Sequence, residues 1–417
     1  MVEMLIPRPK YLQKIERSLQ SVPITVLIGA RQVGKTSLLK LYIESKQNYL
    51  WFDGQLPDSQ SIFADYNSAI QFLKIHLGNP PKGLVVIDEF HFIPNISEIL
   101  KALVDNHSDL KFLCSGSSSI EIFSRIQESL AGRVRFIPVY SLSFEEYLRF
   151  LGEELFLEYQ SYDIDTRYEV ISNDIKKAFE DYLLYGGLPA VVLEHDYQEK
   201  IQILYDIYST YLLKDVKHFV EFEDSVRFNK LISLLAVQIG NLLNVSNIAK
   251  DSGLPYHRTQ EYINLLEQMF ILRLVRPYYV NKQNVIKKAP KVFFLDLGLR
   301  NMLVKDFRSL DLRQDKGSLY ENFVFLELVK NSPVYAEINF FRTKDGTEVD
   351  FIVQNLNDTI TIEVKSSTYH KPLTIKALKN LNSILKPSRS FVINQNFNYK
   401  NTEYQFLPAL LISKIFN

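Results

Sequence analysis

The stretch Ile24–Thr36, ITVLIGARQVGKT, decides the fold of this chain. Its first five residues are apolar or β-branched, as in a buried strand, and they run straight into G-x-x-x-x-G-K-T at 29–36. KTSLLKLYIESK then has the apolar spacing of a helix. Strand, glycine loop and helix in this order make a phosphate cradle. The glycines let backbone amides curl round phosphate oxygens, and the helix start adds partial positive charge. The pattern assigns Gly29, Ala30, Arg31, Gln32, Val33, Gly34, Lys35, Thr36 and Ser37 to ATP, with Lys35 at the β- and γ-phosphates and the Thr36 hydroxyl on Mg²⁺.

Working outward, residues 24–140 alternate short apolar runs with helical patterns, which predicts a parallel α/β sheet. The strands are expected at 24–28, 49–53, 84–88, 110–114 and 134–139, with helices near 35–46, 62–77, 96–106 and 118–130. LVVIDEF (84–90) ends a buried strand in two acids, which are costly to desolvate unless a cation is near. Asp88 is expected at the metal and Glu89 at the attacking water. Ser115 and Ser117, in LKFLCSGSSS, close the next strand where a polar residue can sense the γ-phosphate; a plain Ser/Gly turn is the alternative.

The 417 residues carry 48 Lys+Arg against 48 Asp+Glu and a single cysteine, Cys114, which excludes a disulfide framework or a Cys-rich zinc module. A charged fraction of 23% with 13% aromatics excludes a disordered chain. There is no run of 18 apolar residues and no signal-like start, so the expectation is a soluble, cytoplasmic protein with no membrane partner. Four segments are expected: a P-loop core at 1–142, an acidic helical lid or linker at 143–225, a winged helix-turn-helix at 226–300 and an α/β domain at 301–417. YGGLP (185–189) punctuates the lid helices.

GARQVGKT, LVVIDEF, LCSGSSS, SLAGRVRFIPVYSLSFEEYL and YGGLP together resemble a bacterial and archaeal AAA+-type ATPase family whose members carry a C-terminal domain of uncharacterised function. The resemblance runs from IPRP at 6–9 to IEVKSS at 362–367. It implies catalytic roles for Lys35, Glu89 and Ser115. It also makes Arg133 similar to an arginine finger reaching a neighbouring subunit, with Arg125 the other candidate and a surface ion pair the plain alternative. A homo-oligomer follows from a finger of that kind.

NVSNIAKDSGLPYHRTQEYINLLEQM resembles a winged-helix core whose second helix presents Tyr256, His257, Arg258, Thr259 and Gln260. The hairpin behind it holds Arg273, Arg276, Lys282, Lys287, Lys288 and Lys291 without an acid, with Tyr278 and Tyr279 among them. Lysine and arginine suit phosphates and aromatics suit bases, so nucleic acid, DNA first, is the expected partner. Glu261 and Glu267 suit a protein-binding use instead.

The last segment holds a second constellation. Glu321 lies in a helix, Glu348 and Asp350 share a strand face, and so do Glu363 and Lys365 on the next strand. This order is similar to the PD-(D/E)xK nuclease core, a restriction-endonuclease-like α/β fold. The resemblance implies Asp350 and Glu363 as Mg²⁺ ligands, Glu321 beside them and Lys365 at the attacking hydroxide. Val349 stands where that motif's name has proline. Cross-strand ion pairs, or a nuclease-like fold without activity, are the alternatives. Lys371, Lys376, Lys379, Lys386, Arg389 and Lys400 form a second acid-free window, while His91 and His370 are lone histidines. The whole reads as an ATP-hydrolysing protein acting on or with nucleic acid. The alternative is a nucleotide-dependent signalling or assembly switch with an inactive, protein-binding C-terminal scaffold.

Overall fold

The apolar run ITVLI forms β1 (Ile24–Gly29), fully buried over its first four residues, in the computed structural model. The structure describes residues 5–117, 129–165, 171–210, 220, 224–278, 289–343, 346–356 and 358–416. The chain divides into two compact units, one of residues 1–140 with 268–270 and one of the remainder.

In the first unit, α1 (Pro9–Ser21) precedes β1. Then come α2 (Lys35–Ile43), β2 (Tyr49–Asp53), α3 (Pro57–Ile62), α4 (Tyr66–Leu77), β3 (Gly83–Asp88), α5 (Ile96–Asn106), β4 (Leu110–Ser117) and β5 (Val134–Pro138). The strands form one parallel sheet in the order β2-β3-β4-β1-β5. Ile96, Ile99, Leu100, Leu103 and Val104 give α5 one apolar stripe, which buries against Val85, Ile87 and Phe112 of the sheet. This order places the ends of β1, β3 and β4 side by side, where the phosphate loop and the acid pair emerge. The helix expected at 118–130 lies, but for its last two residues, outside the described residues.

The second unit begins with α6 (Phe144–Leu151), α7 (Glu153–Ser161), α8 (Asn173–Tyr185), α9 (Pro189–Leu193) and α10 (Tyr197–Ile207). It continues with α11 (Ser225–Val237), α12 (Val245–Ser252), α13 (Tyr256–Gln268), β6 (Leu272–Pro277), β7 (Lys291–Phe294) and α14 (Leu297–Val304). The last part is α15 (Lys316–Asn331), β8 (Glu337–Arg342), β9 (Glu348–Gln354), β10 (Thr359–Val364), α16 (Lys376–Leu385), β11 (Arg389–Asn394), β12 (Tyr399–Lys400) and β13 (Gln405–Pro408). The sheet order is β12-β13-β11-β10-β9-β8-β6-β7, with β8, β9 and β10 antiparallel and β11 parallel to β10.

The helices expected as a lid share a core with the C-terminal segment. Phe179 stacks edge-on against Phe323 of α15 at 4.8 Å between ring centres, and Tyr182 against the same ring at 5.7 Å. Lys330 of α15 donates to the Leu142 carbonyl and the Tyr182 hydroxyl at 2.9 and 2.8 Å. The YGGLP turn closes on Asp296: Gly187 N–H donates to its Oδ2 at 3.0 Å, and a Cβ on Gly186 would run into its carboxylate. Asp296 also caps α14 through Leu299 N–H at 3.1 Å. Among the described residues no helix is long and apolar enough to cross a membrane.

Candidate functional site

The loop Gly29–Gly34 joins β1 to α2, and its shape depends on glycine at both ends. A Cβ on Gly29 would run into the Val139 carbonyl oxygen, and Gly34 takes φ +91° at the helix start, where no side chain caps the free amides. Lys35 is buried, its ammonium donating to the carbonyls of Gly29 at 3.1 Å and Ala30 at 2.8 Å. Burial pulls its pKa down, while Glu89 and Asp88 act in the opposite sense. Arg8 holds the loop from below, donating to the carbonyls of Val33 at 3.0 Å and Tyr140 at 3.1 Å. The Tyr140 contact spans 132 residues of chain and the Val33 contact 25, and only the position of IPRP at the edge of the resemblance hinted at them.

The acid pair meets this loop directly. Thr36 Oγ1 donates to Asp88 Oδ2 at 2.8 Å. Ser115, fully buried at the end of β4, donates to the other oxygen of Asp88 and accepts the Glu89 N–H at 3.0 Å. Ser115 therefore positions the acid pair from behind. Glu89 itself sits at φ +48°, a left-handed conformation that costs a non-glycine residue ~1–2 kcal/mol. Gly54 packs against this turn: its N–H donates to the Asp88 carbonyl at 2.8 Å, and a Cβ there would lie 2.5 Å from the Glu89 carbonyl oxygen. Burial pushes the Glu89 carboxyl above its ordinary range, with Lys35 opposing. His91 Nδ1 lies 3.4 Å from Glu89 Oε2, and burial first, then Lys35 and Arg31, push its pKa down to about 4, so the imidazole is neutral. The hydroxyl of Thr36 and the carboxylate of Asp88 are hard oxygen donors facing one another, a donor set that fits Mg²⁺.

Arg133 precedes β5 at the end where the strands start, paired in register next to Ile24. From Ile24, β1 then rises five residue steps to Gly29, where the phosphate loop opens, roughly 17 Å at ~3.3 Å per residue. Arg133 forms a bidentate pair with Asp105, Nε to Oδ1 at 2.5 Å and Nη2 to Oδ2 at 3.1 Å. The expectations for Arg125 and for the Ser117 side chain lie outside the described residues.

The C-terminal carboxylates do come together, but around a lysine. Lys291 Nζ lies 2.7 Å from Glu321 Oε1, 2.5 Å from Glu348 Oε1 and 3.6 Å from Asp350 Oδ1. Arg342 donates to Glu348 Oε2 at 3.0 Å, Val364 N–H to Asp350 Oδ2 at 2.8 Å, and Lys365 to Glu363 Oε1 at 2.6 Å. Burial and the charge of Asp350 push Glu321 up to about 8 and Glu363 up to about 7. For Lys291 the pull of Glu321, Asp350 and Glu348 outweighs burial, and its pKa rises. This arrangement does not fit the Mg²⁺ expected at Asp350 and Glu363, because an ammonium already sits among the carboxylates. Among the described residues, no three His, Cys, Asp or Glu side chains are grouped to hold a metal ion. Lys291 was expected in a basic hairpin facing phosphate; pairing of β7 with β6 turns it inward instead. His370 is exposed.

The helical segment 225–268 ends its α12 in the left-handed turn at Gly253, after which α13 leads into the antiparallel pair β6–β7. Tyr256, His257 and Gln260 are exposed on α13 and Arg273 and Arg276 on β6. Thr259, expected among the presented residues, is buried with its hydroxyl on the Pro255 carbonyl, and Arg258 pairs with Glu261 at 3.2 Å. Lys282, Lys287, Lys288 and Tyr279 lie outside the described residues. In the second basic window Lys379 pairs with Glu403, Arg389 with Asp358 and Lys400 with Asp165, leaving less free positive charge than the sequence suggests.

Comparison with known proteins agrees with the first unit's geometry. Residues 21–148 match the AAA domain family, and this part of the chain is a P-loop, ATP-binding domain of AAA type. Residues 176–314 match a domain of unknown function, DUF8612, and residues 316–411 another, DUF4143. An uncharacterized protein of Haemophilus influenzae is 25% identical over 99% of this chain and 98% of its own length. One of Methanocaldococcus jannaschii is 25% identical over 89% of this chain and 81% of its own. A solved Walker-type ATPase of Pyrococcus abyssi superposes with a TM-score of 0.48 at 18% identity, covering 72% of this chain and 97% of that one.

Proposed function

We propose that this chain is an ATP phosphohydrolase of AAA type that works with nucleic acid. The observation that carries the first half is the hydrogen-bonded chain Thr36–Asp88–Ser115–Glu89, which sets a hydroxyl and a carboxylate that would hold a metal, and a second carboxylate, at the mouth of the phosphate loop. Lys35 exchanges the Gly29 and Ala30 carbonyls for phosphate oxygens, and Glu89, its proton affinity raised by burial, orients the attacking water and takes its proton. Thr36 and Asp88 would hold Mg²⁺, which would neutralise phosphate charge there. Arg133 lies at the far end of the sheet from its own loop, so it serves the nucleotide of a second copy, and assembly is part of this reading.

The nucleic-acid half is supported by the helix–turn–helix–hairpin order of 245–294 and the exposed Tyr256, His257, Gln260, Arg273 and Arg276. The strand and helix order α15-β8-β9-β10-α16-β11 supports a nuclease-like fold for the last segment. The second reading, a nucleotide-dependent switch whose last segment is a scaffold, is favoured by Lys291 lying among the carboxylates. Lys35→Ala abolishes ATP binding, whereas Glu89→Gln keeps binding and stops turnover; wild-type turnover by Glu89→Gln would remove the assignment. DNA affinity that falls with salt separates the nucleic-acid reading from the switch, which has none to titrate.

A further inference from the structure

The carboxylate cluster of the second unit is built with care around a cation that belongs to the chain. Lys291 opens β7, whose backbone is held on one side by β6 (Val275 opposite Lys291) and on the other by residues 240–243: Gly240 N–H donates to the Val292 carbonyl at 2.9 Å and Leu243 N–H to the Pro290 carbonyl at 2.7 Å. Gly240 has φ +73°, and a Cβ there would lie 2.8 Å from Glu321 Oε2, so the glycine lets this loop close over the carboxylate. The Lys291 side chain is only 3% exposed, and its ammonium is in ion-pair range of three acids from α15 and β9. Glu363 is nearly as deep, with its side chain 7% exposed. Its Oε1 takes Lys365, while its Oε2 is buried without a hydrogen-bond partner among the described residues. Continuing the β9–β10 register beyond Phe351–Ile362 sets Asp350 opposite Glu363.

Glu321, Glu348 and Asp350 thus converge on the Lys291 ammonium, with Glu363 opposite Asp350; these are the hard oxygen donors a divalent cation takes, although with the lysine in place no three acids among the described residues are grouped to hold one. A divalent ion bridging Asp350 and Glu363 would meet the ammonium of Lys291 across Asp350, and like charges at such range in a buried setting repel strongly. We propose that Lys291 is the resident cation of this site: its ammonium and a divalent metal are alternative occupants of the same carboxylates, so the wild-type cluster stays metal-free and loss of the lysine charge turns it into a divalent-cation site. This inference is independent of ATP turnover in the first unit.

The test uses the full chain without nucleotide, with Mn²⁺ as the probe, by calorimetry and thermal melting. Wild type and Asp350→Asn should give the same Mn²⁺ isotherm. Lys291→Met should take up one further Mn²⁺ per chain, at least tenfold more tightly than wild type, and Asp350→Asn in that background should abolish it. Mn²⁺ should raise the melting temperature of Lys291→Met and leave that of wild type unchanged. Asp350-dependent Mn²⁺ binding by the wild type overturns the proposal, as does a folded Lys291→Met that binds none. If Lys291→Met does not fold without metal, folding restored by Mn²⁺ supports it. If Mn²⁺ does not restore it, Lys291→Gln is measured in its place, and failure of both variants to gain a site overturns it.

Discussion

Replacing Ser115 by alanine removes one hydroxyl that serves two groups at once, Asp88 as a donor and the Glu89 N–H as an acceptor. A hydrogen bond to a charged group contributes ~1.5–3 kcal/mol, and a buried N–H left unpaired costs ~1–3 kcal/mol. Ser115 is fully buried, so no water replaces it without rearrangement, and the first unit should lose about 2.5–6 kcal/mol of stability. If the bond to Asp88 is used wholly to hold that carboxylate against Thr36, its loss weakens Mg²⁺–nucleotide binding by roughly 10- to 150-fold. Because the hydroxyl acts through Asp88 and the metal, MgATP and MgADP should weaken together, while metal-free ADP binds as before. Calorimetric titration of the three ligands into wild type and Ser115→Ala measures this, with a thermal melt as the stability control. A loss confined to MgATP would make Ser115 a γ-phosphate sensor and refute the positioning argument.

Three further outcomes follow from the same geometry. Gly54→Ala puts a methyl 2.5 Å from the Glu89 carbonyl oxygen, so the acid turn must shift; a melt should show ~1–3 kcal/mol lost and turnover should fall, and an unchanged enzyme would mean the turn has slack. Arg133→Ala should lower turnover by ~10³-fold or more with ATP affinity kept, while Asp105→Ala, which frees Arg133, should not; equal turnover in Arg133→Ala and wild type leaves the arginine as an ion-pair partner alone. Since burial raises the Glu89 pKa, the carboxylate picks up its proton at a higher pH than an ordinary glutamate. Turnover should therefore fall on the acid side through an apparent pKa above 4.5, and a limb at or below 4.5 would contradict the burial argument.

The candidate nucleotide site was legible in the linear chain because its parts are local. A strand, a glycine loop and a helix start are consecutive residues, and Asp88 ends, and Glu89 follows, a strand whose apolar run marks it as buried. The parallel sheet was legible for the same reason, as alternating runs with the strands observed within a few residues of their expected bounds.

What the chain alone determined, then, is the chemistry carried by contiguous motifs and by strand alternation, which put Glu348 beside Asp350 and Glu363 beside Lys365. Tertiary structure alone decided who partners whom across long separations. It set Arg8 under the phosphate loop, Gly54 against the acid turn, Ser115 behind Asp88 and Thr259 inside rather than on the helix face. Above all it turned Lys291 from a hairpin charge into the centre of the carboxylate cluster. A lysine's sequence neighbours say only that it is basic. Which face of a strand it occupies, and whether the acids opposite are thirty or sixty residues away, depends on register and sheet order, and these are settled by the packing of the whole unit.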